Sequence, residues 1–236
     1  MAQPRIVSLL PSATEIAVAL GLGESLVGRS HECDYPLFVK ALPVVTSTRL
    51  EKGLTSRQID DRIQEIVRQG LSVYEVDTAL LRDLRPDLIL TQSQCAVCAV
   101  TPADLEEALG DWIGTAPTLL SLAPDTLEDV WSDFAKVAEA AGIPERASSV
   151  VGDLKERMSG LSRSSAERMD RPRVAAIEWI DPLMAAGNWV PELIEAAGGH
   201  PLFARAGEHS SWLNWDDLIA ADPDLIVAMP CGYLLP

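Results

Sequence analysis

Short apolar runs alternate with amphipathic stretches along most of this chain. Ile6–Leu10 is a compact apolar run that predicts a strand. Pro11-Ser12-Ala13-Thr14 supplies turn chemistry and a helix start, with Glu15 just behind it. Ile16, Ala19 and Leu20 then recur at helical spacing, and Gly21 ends that helix. Leu26-Val27-Gly28 begins a second strand and Pro43-Val44-Val45 a third. Over 55–70 the stripe Ile59, Ile63, Ile66 and Val67 predicts a surface helix, opened by a Thr55/Gln58 capping box and stopped by Gly70. A short helix follows over Asp77–Leu84, then Pro86-Asp87 and the buried strand Leu88-Ile89-Leu90. A helix near 102–110 and a strand near 117–121 come next. Leu127, Val130, Trp131, Phe134, Val137, Ala138 and Ala141 mark the clearest helix, interrupted by Gly142. Pro144 opens a further helix running to about Asp170, long enough to cross a small domain or to join two.

Beyond that helix the pattern restarts. Arg173-Val174-Ala175 repeats the opening Arg5-Ile6-Val7. The segment 15–28, EIAVALGLGESLVG, is echoed by ELIEAAGGHPLF at 192–203, and LLRDLRPDLIL at 80–90 by DLIAADPDLIV at 217–227. Each copy of the latter reads helix, Pro-Asp, buried strand. Two related Rossmann-like α/β lobes bridged by a long backbone helix account for this repeat. The boundaries fall at 1–122 for the N-terminal lobe, 123–170 for the connecting helices and 171–236 for the C-terminal lobe. The second copy is the shorter one, which predicts a truncated second lobe. The apolar surface left by it would suit pairing with another copy, a homodimer.

Composition narrows the partners. Lys and Arg total 19 against 35 Asp and Glu, a formal charge of −16. Nucleic-acid binding needs clustered cations and is excluded as an expectation, as is attraction to an anionic membrane surface. No run approaches the length of a membrane span. The opening residues contain no secretory apolar region with a cleavage site, so the chain as given reads as cytoplasmic, and as periplasmic if a signal or alternative start is missing.

Three clusters carry candidate chemistry. Trp179, Trp189, Trp212 and Trp215 are four of the six tryptophans and lie within 37 residues. The first two are expected in the loop after strand Val174–Ile177 and the last two just before a helix. Loops at the carboxyl ends of parallel strands gather ligands, and tryptophan offers a flat face with a polar edge; core packing is the competing explanation. Cys95 and Cys98, within Thr91–Cys98, form a lone C-x-x-C that fits structural thiols, a metal contact or a redox pair. His31-Glu32-Cys33-Asp34-Tyr35-Pro36 places an imidazole, a thiol and a phenol after the second strand, facing a ligand or forming a solvated turn. Glu208-His209-Ser210-Ser211 lacks a nucleophile elbow and a third triad member. Gly21-Leu22-Gly23 ends a helix rather than opening one, so it is no dinucleotide fingerprint.

The stretch RIVSLLPSATEIAVALGLGESLVGRSHECDYP resembles the opening of the cobalamin-binding members of the class III periplasmic binding proteins, the helical-backbone metal receptors. LRPDLILTQSQCAVCAV, AAIEWIDPLMAAGNWVPELIEAAGG and SWLNWDDLIAADPDLIVAMPCG are similar to later segments of the same group. The resemblance implies a binding protein rather than an enzyme, with no catalytic cofactor. Its ligand would be cobalamin held in a cleft between two lobes, with haem or a ferric chelate as the alternative on the same fold. A redox or zinc protein using Cys95 and Cys98 is the alternative of a different class. On the receptor reading, Pro11, Ser12 and Thr14 offer donors to the ligand's amides. Tyr35, Trp179, Trp189 and Trp212 supply flat contacts, and His31, Gln92, Cys95 and Cys98 line the rim, with His31 as the axial metal ligand. An ABC permease would dock through Asp77 on the first lobe and Asp216 or Asp217 on the second.

Overall fold

The computed structural model describes residues 3–231 other than 70, 95, 96, 98, 111, 113 and 167–169. In chain order the elements are β1 (Ile6–Ser8), α1 (Pro11–Ala19), β2 (Leu26–Arg29), β3 (Thr46–Thr48), α2 (Ser56–Arg68), β4 (Tyr74–Val76), α3 (Thr78–Leu84), β5 (Leu88–Gln92), α4 (Pro102–Gly110) and β6 (Thr118–Leu122). They continue with α5 (Leu127–Ala140), α6 (Glu145–Ala166), β7 (Arg173–Trp179), β8 (Met184–Ala185), α7 (Val190–Ala196), β9 (His200–Leu202), β10 (Ser211–Trp212), α8 (Trp215–Ala221) and β11 (Leu225–Ala228). Packing divides the chain into two compact units. One comprises Met1–Lys52, Arg62–Ala123 and Trp131–Val150; the other comprises Gly53–Asp61, Pro124–Val130 and Val151–Pro236.

The first unit is built on a parallel sheet of order β2-β1-β5-β6. Parallel strands need crossovers, which here are helices, and both faces of such a sheet are buried. Accordingly β1 and β5 are buried along their whole length. Val7, Leu9, Ile89, Leu81, Val45, Ile66, Val73 and Leu105 form the core of this unit. The Thr55/Gln58 capping box is present: the Thr55 backbone N–H donates to Gln58 Oε1 at 2.9 Å, and the Gln58 N–H to Thr55 Oγ1 at 3.3 Å. Ile66 is the buried member of the α2 stripe, whereas Val67 is 49% exposed. Its position at the stripe's edge turns it out of the core. The predicted third strand is only a single bridge between Arg29 and Val44; the strand itself lies next door as β3, paired antiparallel with β4.

The second unit repeats the plan. β7 is central, with β11 parallel on one edge and β9 parallel on the other. Short antiparallel β8 and β10 extend the β9 side. Ala175, Ile177, Leu183 and Leu218 make its smaller core. Trp179 is the last residue of β7 rather than part of a loop, and Trp215 is the first residue of α8 rather than a residue before it. The helix after Pro144 extends to Ala166, and the expected Gly70 stop lies outside the described residues. The strand after the second Pro-Asp is not buried as expected. β5 lies between β1 and β6, but among the described residues β11 pairs with β7 alone, and Leu225 and Ile226 are 50% and 54% exposed. No described helix is long and apolar enough to cross a membrane.

The two units share one locking device, and it explains why the sequence repeats. The Arg5 backbone N–H donates to Asp87 Oδ2 at 2.8 Å, and the Asp87 N–H donates to the Arg5 carbonyl at 2.8 Å. In the second unit the Arg173 N–H donates to Asp224 Oδ2 at 2.7 Å, and the Asp224 N–H to the Arg173 carbonyl at 2.9 Å. Both arginines then reach the last turn of the helix before Pro-Asp. Arg5 Nη2 donates to the Leu84 carbonyl at 2.7 Å and Arg173 Nη2 to the Ala221 carbonyl at 2.6 Å. A guanidinium there satisfies carbonyls that a helix leaves unpaired, at its negative end. The clasp also fixes register: Ile6 pairs with Leu88 and Val174 with Leu225, one residue beyond the clasp in each case.

Each clasp includes a left-handed residue before the proline, Arg85 at φ 43° and Asp222 at φ 41°. A side chain is strained in that region, and glycine is not. We expect Asp222→Gly to raise the urea midpoint, by about 0.5–1 kcal/mol of stability. Asp224→Ala should lower it by about 1–2 kcal/mol through loss of the bond to Arg173. Two shifts of the same sign would contradict this account of the clasp.

Candidate functional site

In the first unit the carboxyl end of β2 runs into Ser30–Pro36. Arg29 holds this loop from below: its Nη1 donates to the carbonyls of Ser30 at 2.9 Å and Cys33 at 3.0 Å. Thr46, at the start of β3, supports it from the side. Thr46 Oγ1 donates to Ser30 Oγ at 3.1 Å, accepts from the His31 backbone N–H at 3.0 Å, and lies 2.8 Å from His31 Nδ1. A hydroxyl has one proton, so with that proton on Ser30 it accepts from Nδ1–H. The half-buried His31 ring is tilted 48° against Tyr74 at a centroid distance of 5.8 Å. The Tyr74 hydroxyl donates toward Glu32 Oε1 and the Val97 carbonyl, each at 3.3 Å.

Burial, followed by the positive charge of Arg29, lowers the His31 pKa. Burial raises that of Glu32 against the opposing pull of the Tyr74 hydroxyl. Cys33 is fully buried, and burial pushes its thiol up. A thiol of that kind is inert as a nucleophile.

The remaining first-unit candidates separate by depth. Thr14 is fully buried, with Oγ1 2.8 Å from Ser8 Oγ and 3.1 Å from Cys33 Sγ. It ties α1 to the loop from beneath the surface. Gln92 is also buried, its Nε2 donating to the Ala99 carbonyl at 3.4 Å. Pro11 and Ser12 open α1, with Ser12 exposed. Tyr35 is 63% exposed. Cys95 and Cys98 lie outside the described residues. Among the described residues no group of three or more His, Cys, Asp or Glu side chains could hold a bare metal ion.

In the second unit the register brings aromatic residues into line. Trp179 of β7 pairs with Met184 of β8, and Met184 pairs with Trp212 of β10. Directly opposed residues of regular antiparallel strands share a face, as Met184 and Trp212 do, and a register shift after Ile177 sets Trp179 opposite Met184, so the three residues are aligned across adjacent strands in one row. With strands about 4.8 Å apart, that row is about 10 Å wide. Trp212 is 59% exposed, and Trp179 is half-buried with Nε1 donating to the Asp181 carbonyl at 3.1 Å. Trp189 is the N-cap residue of α7. Close backbone packing supports the row. A Cβ on Gly187 would come within 2.5 Å of Glu208 O and Ser210 N, so only glycine fits there. Ser210 Oγ accepts from the Gly187 N–H at 3.0 Å and donates to Glu178. Ser210 is thereby committed to structure. Asp77 is exposed and caps α3, accepting from the Leu80 N–H at 2.9 Å. Asp216 and Asp217 are exposed in the first turn of α8.

Thr46, Tyr74 and Met184 were not singled out by sequence, and Ser210 was weighed there only for hydrolase chemistry. No local pattern marks Thr46 or Tyr74, which reach the loop only through β3–β4 pairing. Met184 becomes meaningful only through strand register, although its place between Trp179 and Trp189 was a usable signal.

Two α/β units, each with a central parallel strand pair held by the same clasp, define a two-lobed α/β fold. The chain belongs to the periplasmic binding protein family, whose profile matches residues 6–233. That is a family of substrate binders rather than catalysts. It is 23% identical over 224 residues to the vitamin B12-binding protein of Photorhabdus laumondii, covering 94% of this chain and 70% of that protein. Similar solved structures include the periplasmic vitamin B12 binding protein BtuF of Vibrio cholerae, with a TM-score of 0.66, 21% identity and coverage of 96% and 76%. The periplasmic heme-binding protein RhuT from Roseiflexus sp. RS-1 gives a TM-score of 0.66, 26% identity and the same coverage.

The His31 environment has a measurable consequence. Its pKa is lowered from an ordinary value of about 6.5, so the unfolded chain takes up the proton first as pH falls. Stability associated with this group is therefore complete above about pH 6.5 and is lost as pH falls toward the folded-state value. Urea unfolding at a series of pH values should show wild type losing stability relative to His31→Gln over that window. Parallel curves would contradict the assignment.

Proposed function

We propose that this chain binds a planar metal chelate of the corrinoid type and serves as the substrate-binding component of a transport system for it. The observation that carries the reading is the Trp179–Met184–Trp212 row. Its width of about 10 Å, built from strand spacing, is comparable with a tetrapyrrole ring. Indole faces and a polarizable thioether stack well on such a surface. Within the second unit Trp189 is proposed to add a contact to this surface; within the first, Tyr35, Ser12 and His31 are proposed as contacts at the strand ends where α/β sheets bind ligands. Thr14 and Gln92 act from below as supports. The names of the similar proteins support a corrinoid. Asp77, Asp216 and Asp217 are proposed to meet basic residues of an ABC permease.

Haem is the second reading, favoured by the His31 imidazole, whose Nε2 makes no hydrogen bond among the described residues. Titrating the purified protein with cyanocobalamin, hydroxocobalamin and haemin, with tryptophan fluorescence as the signal, distinguishes the two. We expect saturable one-to-one quenching by both cobalamins and weaker binding of haemin. Trp179→Ala with Trp212→Ala should weaken cobalamin binding by about tenfold or more, about 1.4 kcal/mol. Tight haemin binding without cobalamin binding would move the assignment to haem. Unchanged affinity in the double variant would remove the row from the site.

A further inference from the structure

We infer that Arg57 is a positioning residue for the chelate surface: its ion pair with Asp181 holds the indole of Trp179 in place, so ligand affinity depends on a charge that acts through Trp179. This inference rests on the chelate-binding reading above and adds to it a determinant from a distant part of the chain.

The second unit includes Gly53–Asp61, a segment far in sequence from Trp179. Within it the Thr55/Gln58 box fixes the first turn of α2 through reciprocal bonds of 2.9 and 3.3 Å. Arg57 stands between those two residues, so its backbone is set before its side chain is placed. Arg57 Nη2 donates to Asp181 Oδ1.

Asp181 belongs to the turn between β7 and β8, which joins the first two members of the row, Trp179 and Met184. Two of its groups are used. The carboxylate takes Arg57, and the backbone carbonyl accepts the Trp179 Nε1–H at 3.1 Å. An indole has one N–H to give, and this one is spent inside its own turn. The orientation of the ring therefore follows the position of Asp181, which the guanidinium tethers to α2. The Trp212 end of the row has a different support, the close packing of Gly187 against Glu208 and Ser210.

The pair is half exposed, at 51% for Arg57 and 50% for Asp181. An ion pair so placed adds little to global stability and weakens as salt is added. Its effect on binding is larger than its effect on folding, because a loosened indole must be ordered again when the ligand arrives. Arg57 needs no contact with the ligand to act in this way.

The test is titration with cyanocobalamin, read by tryptophan quenching, on wild type, Arg57→Ala, Arg57→Lys, Asp181→Ala, Trp179→Phe and the paired variants. Each is measured at about 0.01 M and about 1 M sodium chloride, between which the screening length falls from about 30 Å to about 3 Å. Cyanocobalamin has no net charge, so salt changes little in its own attraction to the protein. At low salt Arg57→Ala and Asp181→Ala should each weaken binding by about threefold to fivefold, and together by no more than either alone. Arg57→Lys, which keeps the charge, should stay within about twofold of wild type. High salt should bring wild type down to Arg57→Ala and leave that variant unmoved. In Trp179→Phe, whose ring has no N–H to anchor, adding Arg57→Ala should change nothing further. Unchanged binding in Arg57→Ala, or an equal loss in the Trp179→Phe background, would overturn the inference and leave the receptor reading intact. A loss in Arg57→Ala with no salt dependence in wild type would mark a merely structural role and overturn it as well. Absence of cyanocobalamin binding to wild type would overturn both.

Discussion

In each unit the central strand and its parallel neighbour are set by the hydrogen-bonded clasp between an arginine and a Pro-Asp pair. Arg5 with Asp87, and Arg173 with Asp224, lock the amino end of each unit's central strand to the amino end of its parallel neighbour. Register is then set from the first pair onward, because a slip of one residue would turn every apolar side chain to the wrong face. Fixing one end of β1 against β5, and of β7 against β11, also fixes where the carboxyl ends emerge. Those ends carry Ser8 and the α1 start in one unit, and Glu178 and Trp179 in the other. The clasp reaches further, into the last turn of α3 and α8 through Leu84 and Ala221. Strand, helix and register are thus coupled by one side chain in each unit.

The architecture was legible from residues because this device leaves a linear signature. The Arg–apolar–apolar openings and the helix–Pro-Asp–strand segments can be aligned by eye, and the capping box at Thr55 and Gln58 forms as its spacing indicates. Edges were less legible. Pro43–Val45 carries strand-forming residues, yet the ladder begins at Thr46, because pairing with β4 rather than propensity decides the boundary. Burial of the second Pro-Asp strand was misjudged for a related reason. Leu225 and Ile226 read like Leu88 and Ile89, and only the neighbouring strand makes the difference.

The site was legible in its residue types and not in its arrangement. The tryptophans stood out by number, and His31 and Tyr35 by their place after a strand. What sequence could not reveal was that Met184 bridges Trp179 and Trp212 across two strand pairs, or that Thr46 lies under His31. It also could not show that Thr14 and Gln92, polar and well placed along the chain, point inward. Their burial is satisfied by hydrogen bonds, as buried polar groups require, and this makes them supports for the surface.

The central claim is that a planar chelate is seated on the Trp179–Met184–Trp212 surface of the second unit. Hydrogen–deuterium exchange of the free protein and of its hydroxocobalamin complex addresses it directly, since amides covered or stiffened by ligand exchange more slowly. Slowing should be greatest in peptides covering 179–190 and 207–213, with the clasps at 5, 87, 173 and 224 unchanged. Slowing spread evenly over the chain, or absent from 179–190 and 207–213, would contradict the account.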